Sequence, residues 1–279
     1  MTELPAARRL TVGNSLAAMV ILIVAAALLR SVATNENFRW DVVGDFFTTT
    51  AILEGLVRTL WLTAASMAIG ITLGTIIAVM RLSSNPILSS IGALWVWFFR
   101  GTPLLVQLIF WFNLSALYPQ LSLGVPFGPD GVTFDANALI TPVAAALLGL
   151  GLSESGYMAE IVRGGLLGVD REQVDAARAL GMVRRTRFVR VIWPQAVRLI
   201  IPATGNRTIS QLKDTALVSV IAMPDLLYSA QIIYSNNYQT IPLLIVATLW
   251  YLIVVSVLGV GQRLLERRFG HGAQPGSGS

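Results

Sequence analysis

The chain has 279 residues, 54% of them hydrophobic and only 13% charged, against about a quarter charged in an average soluble domain. It has no cysteine, a single histidine (His271) and a single lysine (Lys213) among its 20 basic residues. Disulfide frameworks, thiolate nucleophiles, Cys-ligated metals, His-based triads and paired-His zinc sites are therefore excluded. Lys213 precedes Asp214 and lies in no Gly-rich loop, so no Walker A phosphate cradle exists and any ATP must be hydrolysed by another chain. Apolar residues form blocks free of Asp, Glu, Lys and Arg at 10–29, 59–80, 82–99, 101–129, 136–153 and 226–262. A soluble helix keeps a charged face toward water, whereas a bilayer crossing needs about 20 apolar residues. The fold class is an all-α, polytopic membrane protein with about six crossings.

The first crossing covers about 11–29 and follows Arg8 and Arg9. Its long apolar core and the lack of an A-x-A-like cleavage site favour a retained helix over a signal peptide. The segment 30–58 carries Arg30, Arg39 and Arg58, matched by Glu36, Asp41, Asp45 and Glu54. The second crossing, about 56–80, contains Gly70-x-x-x-Gly74, a spacing that permits close helix packing. A third region, 86–118, is interrupted by Arg100-Gly101-Thr102-Pro103, where Pro103 cannot donate a backbone hydrogen bond and the helix should break. Arg100 then either anchors headgroups or belongs to an interior path. Trp95, Trp97 and Trp111 read as interfacial or lipid-facing aromatics.

After an outer loop at 119–136, the fourth crossing runs over about 137–162 and carries Glu154, Glu160 and Arg163. The fifth covers about 197–221, and the sixth, beyond an outer loop at 223–240, covers about 241–263. The tail 270–279 ends in Gly-Ser repeats and reads as disordered. Arginine sets the sidedness. The loop 163–198 holds eight arginines, and Arg263, Arg267 and Arg268 follow the last crossing, while the loops 119–136 and 223–240 hold no basic residue. The positive-inside rule puts both termini in the cytoplasm. Arginines placed between apolar blocks fit this topology and not a nucleic-acid face.

The loop 164–194 is long for a membrane protein and internally ordered. Asp170 can cap a helix starting at Arg171, with Glu172 and Gln173 in its first turn. Ala176, Ala177 and Leu180 give one small apolar face, and Gly181 suits the stop. A second helix, 184–192, carries Phe188, Val189 and Ile192 opposite its arginines, and Pro194 begins the next crossing. Two readings fit: a short helix that docks into a partner's groove, or an interfacial hairpin bound to anionic lipid.

The run Asp175-Ala176-Ala177-Arg178-Ala179-Leu180-Gly181, followed by Val191-Ile192-Trp193-Pro194, resembles the coupling loop of ABC importer permeases. It matches their Glu-Ala-Ala, three residues, Gly, nine residues, Ile-x-Leu-Pro spacing, with Asp175, Val191 and Trp193 as departures. Three further stretches resemble the polar amino acid uptake permeases of that class: residues 100–107 (Arg100 to Gln107), 156–165 (Gly156 to Gly165) with Pro194-Gln195-Ala196, and 212–221. The resemblance covers about 52–268 and implies a five-helix permease core of the type I importer fold. Residues 1–51, with the extra first helix and an outer loop, lie before that core, and 269–279 follow it.

The resemblance also implies partners: a cytoplasmic ATP-binding subunit dimer that carries ATP and magnesium, a second permease subunit, identical or related, and an external solute-binding protein. The cargo would be a polar amino acid crossing the bacterial inner membrane, and the chain itself would hold no cofactor. Arg171, Asp175, Ala176, Ala177, Arg178, Leu180 and Gly181 would then couple the permease to the ATPase.

Ionisable groups at membrane depth are costly and face the protein interior. Arg207, Gln211 and Asp214 recur at i, i+4 and i+7 on one face of the fifth crossing, with Lys213 about 100° away. They form either a structural seam or the lining of a path. Glu154 has no basic neighbour one turn away; it either meets a cationic group of the substrate or is satisfied by Arg207 or Lys213. Glu160 and Arg163 form a structural pair. Tyr157 and Gln107 complete the path candidates, Gln107 because the resembling family carries it on a pore-facing helix. Glu154 favours a cationic or neutral amino acid. The rival functions are an ion-coupled transporter or channel built on these charges, and a membrane scaffold that only docks a cytoplasmic protein.

Overall fold

The computed structural model describes residues 12–123 and 132–270; Arg8, Arg9, His271 and the Gly-Ser tail lie outside them. The chain is helical apart from one antiparallel hairpin. In order come α1 (Val12–Thr34), α2 (Trp40–Phe47), α3 (Thr50–Arg81), α4 (Pro86–Gly101), α5 (Leu104–Phe112) and α6 (Leu114–Leu117). The hairpin β1 (Gln120–Leu123) and β2 (Val132–Asp135) pairs Gln120 with Asp135 and Leu123 with Val132. It is followed by α7 (Ala136–Leu139), α8 (Pro142–Leu167), α9 (Arg171–Ala179), α10 (Arg184–Arg187), α11 (Trp193–Asp214), α12 (Leu226–Asn237) and α13 (Thr240–Gly270).

The predicted crossings fall on α1, α3, the pair α4–α5, α8, α11 and α13. Three helices (α1, α3 and α13) are long and apolar enough to span a bilayer alone among the described residues. Two bent assemblies, α4 with α5 at 98° and residues 184–221 with α12 at 43°, bring the number to five. The helix that hydropathy passes over is α8, because Ser153, Glu154 and Ser155 dilute it. It is buried along most of its length, with protein rather than lipid around it. A central helix need not be apolar all round.

The bundle forms around α8. Small side chains let its neighbours approach: a Cβ at Gly70 of α3 would stand 2.5 Å from Glu154 Cγ, and one at Gly74 would stand 2.5 Å from Met158 Cβ. The Gly70-x-x-x-Gly74 spacing is thus used as read, to seat α3 directly on α8. Met67, Ala78, Met158 and Val162 form one buried cluster along that contact. The end of the bundle beside α2 and α12 has its own core, where Val42 and Val43 of α2 meet Ile52, Leu226, Ala230, Leu243, Val246 and Ala247. Trp250 stacks on Phe47 at 4.9 Å and donates from Nε1 to its carbonyl. In contrast, the described side chains of α1 are all exposed.

Several elements differ from expectation. The fourth crossing begins at Pro142 rather than 137, after the separate turn α7, because Thr141 caps it and Pro142 occupies the first turn. The segment 223–240 is not a plain outer loop. Asp225 caps α12 by accepting from the Tyr228 N–H, and Leu226 and Ala230 turn inward into the core they share with α2. The fifth crossing is longer than 197–221. Residues 184–187 run through a π-helical turn, Phe188–Ile192, directly into α11, which ends in a 3-10 segment, Thr215–Ile221. Pro194 lacks the N–H that would close an α-turn, and the preceding turn widens rather than breaking. Trp95 is interior, since its Nε1 donates to Ser155 Oγ at 2.9 Å and its ring packs on Phe99. Trp97 is exposed, as expected of a lipid-facing ring.

Replacing Gly74 with Val should lower stability by roughly 1–3 kcal/mol, the range for overpacking a close helix contact. Gly259→Val, where an added Cβ meets nothing within 4 Å, should be near neutral. Thermal unfolding of both variants in detergent measures the contrast, and equal melting temperatures would count against the tight α3–α8 seat.

Candidate functional site

Two groups of predicted residues come together, one at membrane depth and one outside. At depth, α11 presents Arg207, Gln211 and Asp214 on one face, and α8 presents Glu154 and Tyr157 toward it. Glu154 is fully buried, and its Oε2 accepts from Arg207 Nε at 2.7 Å. Arg207 Nη2 donates to Asp214 Oδ2 at 3.2 Å and reaches Gln211 Oε1 at 3.5 Å. The amide of Gln211 continues the chain, donating to Ser66 Oγ on α3 and to the Leu150 carbonyl on α8. Gly70 provides the clearance in which the Glu154 side chain lies.

Of the two readings for Glu154, the pairing with Arg207 is the one observed. Lys213 is exposed and does not join the group, as its place on the helix requires. One guanidinium thus pairs with two carboxylates, and it gives the fully buried Glu154 the partner that a buried charge demands.

Tyr157 carries the network to a second arginine. The Arg207 guanidinium lies 4.0 Å from the Tyr157 ring centroid and that of Arg100 lies 5.2 Å from it, both within cation–π range. Arg100 also stands 3.7 Å from Glu160, which pairs in addition with Arg81 and with Arg163. Glu160 therefore ties together the ends of α3 and α4 and the body of α8. Arg100 remains exposed while it reaches toward Glu160 and the Tyr157 ring. Arg81 is the site residue that sequence reasoning missed; its only signal is its place in the last turn of α3.

Between these groups lies a cavity of about 430 Å³, lined among others by Arg100, Ser153, Tyr157, Arg207 and Asp214. That volume falls in the usual range for small-molecule sites. Glu154 and Gln211 lie behind the lining, not in it. Gln107 is not part of this lining either. The helix breaks where Pro103 requires, and the Gln107 amide donates to the Phe99 and Thr102 carbonyls and to Thr102 Oγ1. It satisfies backbone groups that the break sets free, which is why a buried glutamine occurs on so apolar a half-helix.

Outside the bundle, α9 forms as its sequence requires. Asp170 accepts from the Glu172 N–H at 2.9 Å. Gly181, at φ +73°, takes the left-handed conformation that ends the helix, with Met182 N–H bonding to the Ala177 carbonyl. One expectation needs correction. Ala176, Ala177 and Leu180 are not a single outward face: Ala177 is buried, while Ala176 and Leu180 are exposed, Leu180 to 82%. Val174 is half-buried and Ala177 buried, one turn apart on one side of a helix that packs against residues 184–192. Arg171, Asp175 and Arg178 are exposed, the last two paired at 3.3 Å. Gln195 at the base of α11 donates to Gln173 of α9 at 2.8 Å.

Residues 70–271 match the family described as binding-protein-dependent transport system inner membrane component. The chain is 42% identical to the arginine transport system permease protein ArgU of Corynebacterium glutamicum, over 94% of this chain and 81% of that one. It is 34% identical to the nopaline transport system permease protein NocM of Agrobacterium fabrum, over 74% of this chain and 83% of that one. Among solved structures it is similar to an amino acid ABC transporter crystallised with histidines, at 34% identity and a TM-score of 0.67, covering 78% of this chain and 94% of that one. The inward-facing MetNI methionine ABC transporter shares the fold at 18% identity and a TM-score of 0.58.

Removing the guanidinium by Arg207→Met should destabilise the fold by roughly 3–5 kcal/mol, because it strands a fully buried carboxylate. Adding Glu154→Leu should return most of that loss. Melting curves of the two variants decide the matter, and a double variant no more stable than Arg207→Met alone would refute the pairing.

Proposed function

We propose a function that proceeds from what this chain is, since it belongs to the family of binding-protein-dependent transport system inner membrane components. It is the membrane-spanning permease subunit of an ABC importer in the inner membrane. Beyond that membership, we infer that its cargo is a polar amino acid, with a cationic one such as arginine first. The cavity beside Arg207 is the observation that carries this reading. Its lining carries charges of both signs, Arg207 and Asp214 side by side on α11 and Arg100 on α4, a set suited to an ammonium and a carboxylate on one small molecule. Glu154 is occupied by Arg207 and acts by fixing that arginine rather than by reading the cargo. The arginine permease ArgU, at 42% identity, supports a cationic side chain.

The chain hydrolyses nothing itself. ATP and magnesium belong to a pair of ATP-binding subunits in the cytoplasm, on the side of both termini and of α9. Their closure moves α9, held to α11 through Gln173 and Gln195, and the spans then open the cavity to the outer side, where a solute-binding protein delivers the amino acid. A second permease subunit completes the path. Leu180 and Ala176 make the apolar contact with the ATPase, Gly181 fixes their angle, and Arg171, Asp175 and Arg178 frame it. Cargo and partner are accordingly a zwitterion and a protein, not nucleic acid.

Uptake by the complete transporter in proteoliposomes tests both halves. Asp214→Asn should cut ATP-driven arginine uptake about 10- to 100-fold, the effect of losing one charged hydrogen bond, while ATP hydrolysis persists. Unchanged uptake would remove Asp214 from the path. Leu180→Asp should abolish the stimulation of ATP hydrolysis by loaded binding protein without altering membrane insertion; normal stimulation would remove α9 from the ATPase contact.

A further inference from the structure

The arginine-rich segment beyond α9 has no part in the mechanism above. Arg184, Arg185, Arg187, Arg190 and Arg198 cluster there, and none pairs with a carboxylate among the described residues. Between them, Phe188, Val189 and Trp193 are all more than a third exposed. Aromatic rings alternating with unpaired arginines at the base of a membrane helix match the chemistry of a bilayer interface, apolar on one side and anionic on the other.

The π-turn organises this segment. In an α-helix, residues five apart diverge by about 140°. Here the wider turn brings Phe188 and Trp193 onto one face: the Trp193 N–H donates to the Phe188 carbonyl, and the ring centroids are 6.1 Å apart. Below Trp193 on that face, Ile200, Ile201 and Thr204 line an apolar groove of about 390 Å³, with Ile71 and Thr75 of α3 opposite. Leu265 of α13 lies at its edge, with Arg268 one turn further along that helix. Arg184 and Arg185 lie one turn before Phe188. An apolar trough thus leads up to paired aromatic rings, with arginines on the helix ends beyond them.

We propose that this groove is a binding site for an anionic phospholipid. One acyl chain lies along Ile71, Ile200 and Thr204, the Phe188 and Trp193 rings sit at the glycerol level, and Arg184, Arg185 and Arg268 hold the headgroup phosphate. Charge selects lipid over a second copy of this chain. The ends of α10 and α13 bring Arg184, Arg185, Arg187, Arg267 and Arg268 to this level against the single carboxylate of Glu266, and a copy would set this excess of like charge against itself. The site is independent of the transported solute.

The test uses the full chain in phosphatidylcholine nanodiscs with and without phosphatidylglycerol, followed by native mass spectrometry of lipid retained after detergent release. The wild type should retain phosphatidylglycerol in preference to phosphatidylcholine, and added glycerol phosphate should not displace it. Each arginine facing an anionic lipid contributes about fivefold, so R184Q/R185Q should lower retention about 25-fold at an unchanged melting temperature. Ile71→Trp, on an exposed wall of the groove, should block the acyl chain, and it carries the test should the arginine variant fail to fold. Equal retention by wild type and Ile71→Trp would overturn the proposal, as would displacement by glycerol phosphate. Because the chain has no native cysteine, Ile71→Cys gives a clean further readout. A disulfide between two copies through this position would assign the groove to a protein contact and end the lipid assignment.

Discussion

The interior of this protein depends on one guanidinium. Arg207 is the cation that compensates Glu154, fully buried on α8, and it also holds Asp214 on its own helix. Two carboxylates and one arginine leave a net negative charge, which Arg100, beside the Tyr157 ring at the cavity wall, helps to offset. The site is affordable only because α3, α8 and α11 enclose it completely enough to hold the ion pair in one geometry. Gly70 is part of that enclosure, since any side chain there would occupy the space of the Glu154 stem. A charge network and a packing contact are the same feature viewed from two helices.

Around this network the fold sorts its polar residues by purpose. Glu160, with Arg81, Arg100 and Arg163, ties helix ends. Gln107 repairs the backbone at a break, and Gln262 of α13 donates to the Pro202 carbonyl of α11. Among the described residues, Arg100, Thr102, Ser153, Tyr157, Arg207 and Asp214 combine a polar side chain with a place on the cavity wall. Most of the ionisable and amide groups in the bundle therefore serve architecture, and a smaller set faces the cavity.

How much of this was legible in the sequence varies by residue. The break at Pro103, the cap at Asp170 and the left-handed stop at Gly181 follow from local stereochemistry and stand where they were read. So does the single face of Arg207, Gln211 and Asp214, because helical periodicity alone places them. The destination of Gln107 was not legible: pore and broken backbone both accept an amide, and only the fold puts the Phe99 carbonyl within its reach. Ala177 turns inward for a similar reason. A small apolar residue on a short helix fits either side, and the packing of α9 against residues 184–192 decides. The polarity of α8 hid its centrality from hydropathy, while α12 was hidden in a stretch that reads as a loop by its flanking prolines and asparagines.

The hydrogen bond between Gln173 and Gln195 gives α11 a mechanical meaning. Gln173 belongs to α9, outside the bundle, and Gln195 to α11, the helix that holds Arg207, so a displacement of α9 would be felt by α11. From Gln195 to Arg207 is twelve residues, about 18 Å at 1.5 Å per residue, so a tilt of about 10° at the base would swing the guanidinium by about 3 Å. That distance is comparable to a full hydrogen-bond length. A small angular stroke would therefore be enough to part Arg207 from Glu154, which makes the buried ion pair the contact most sensitive to the tilt of α11.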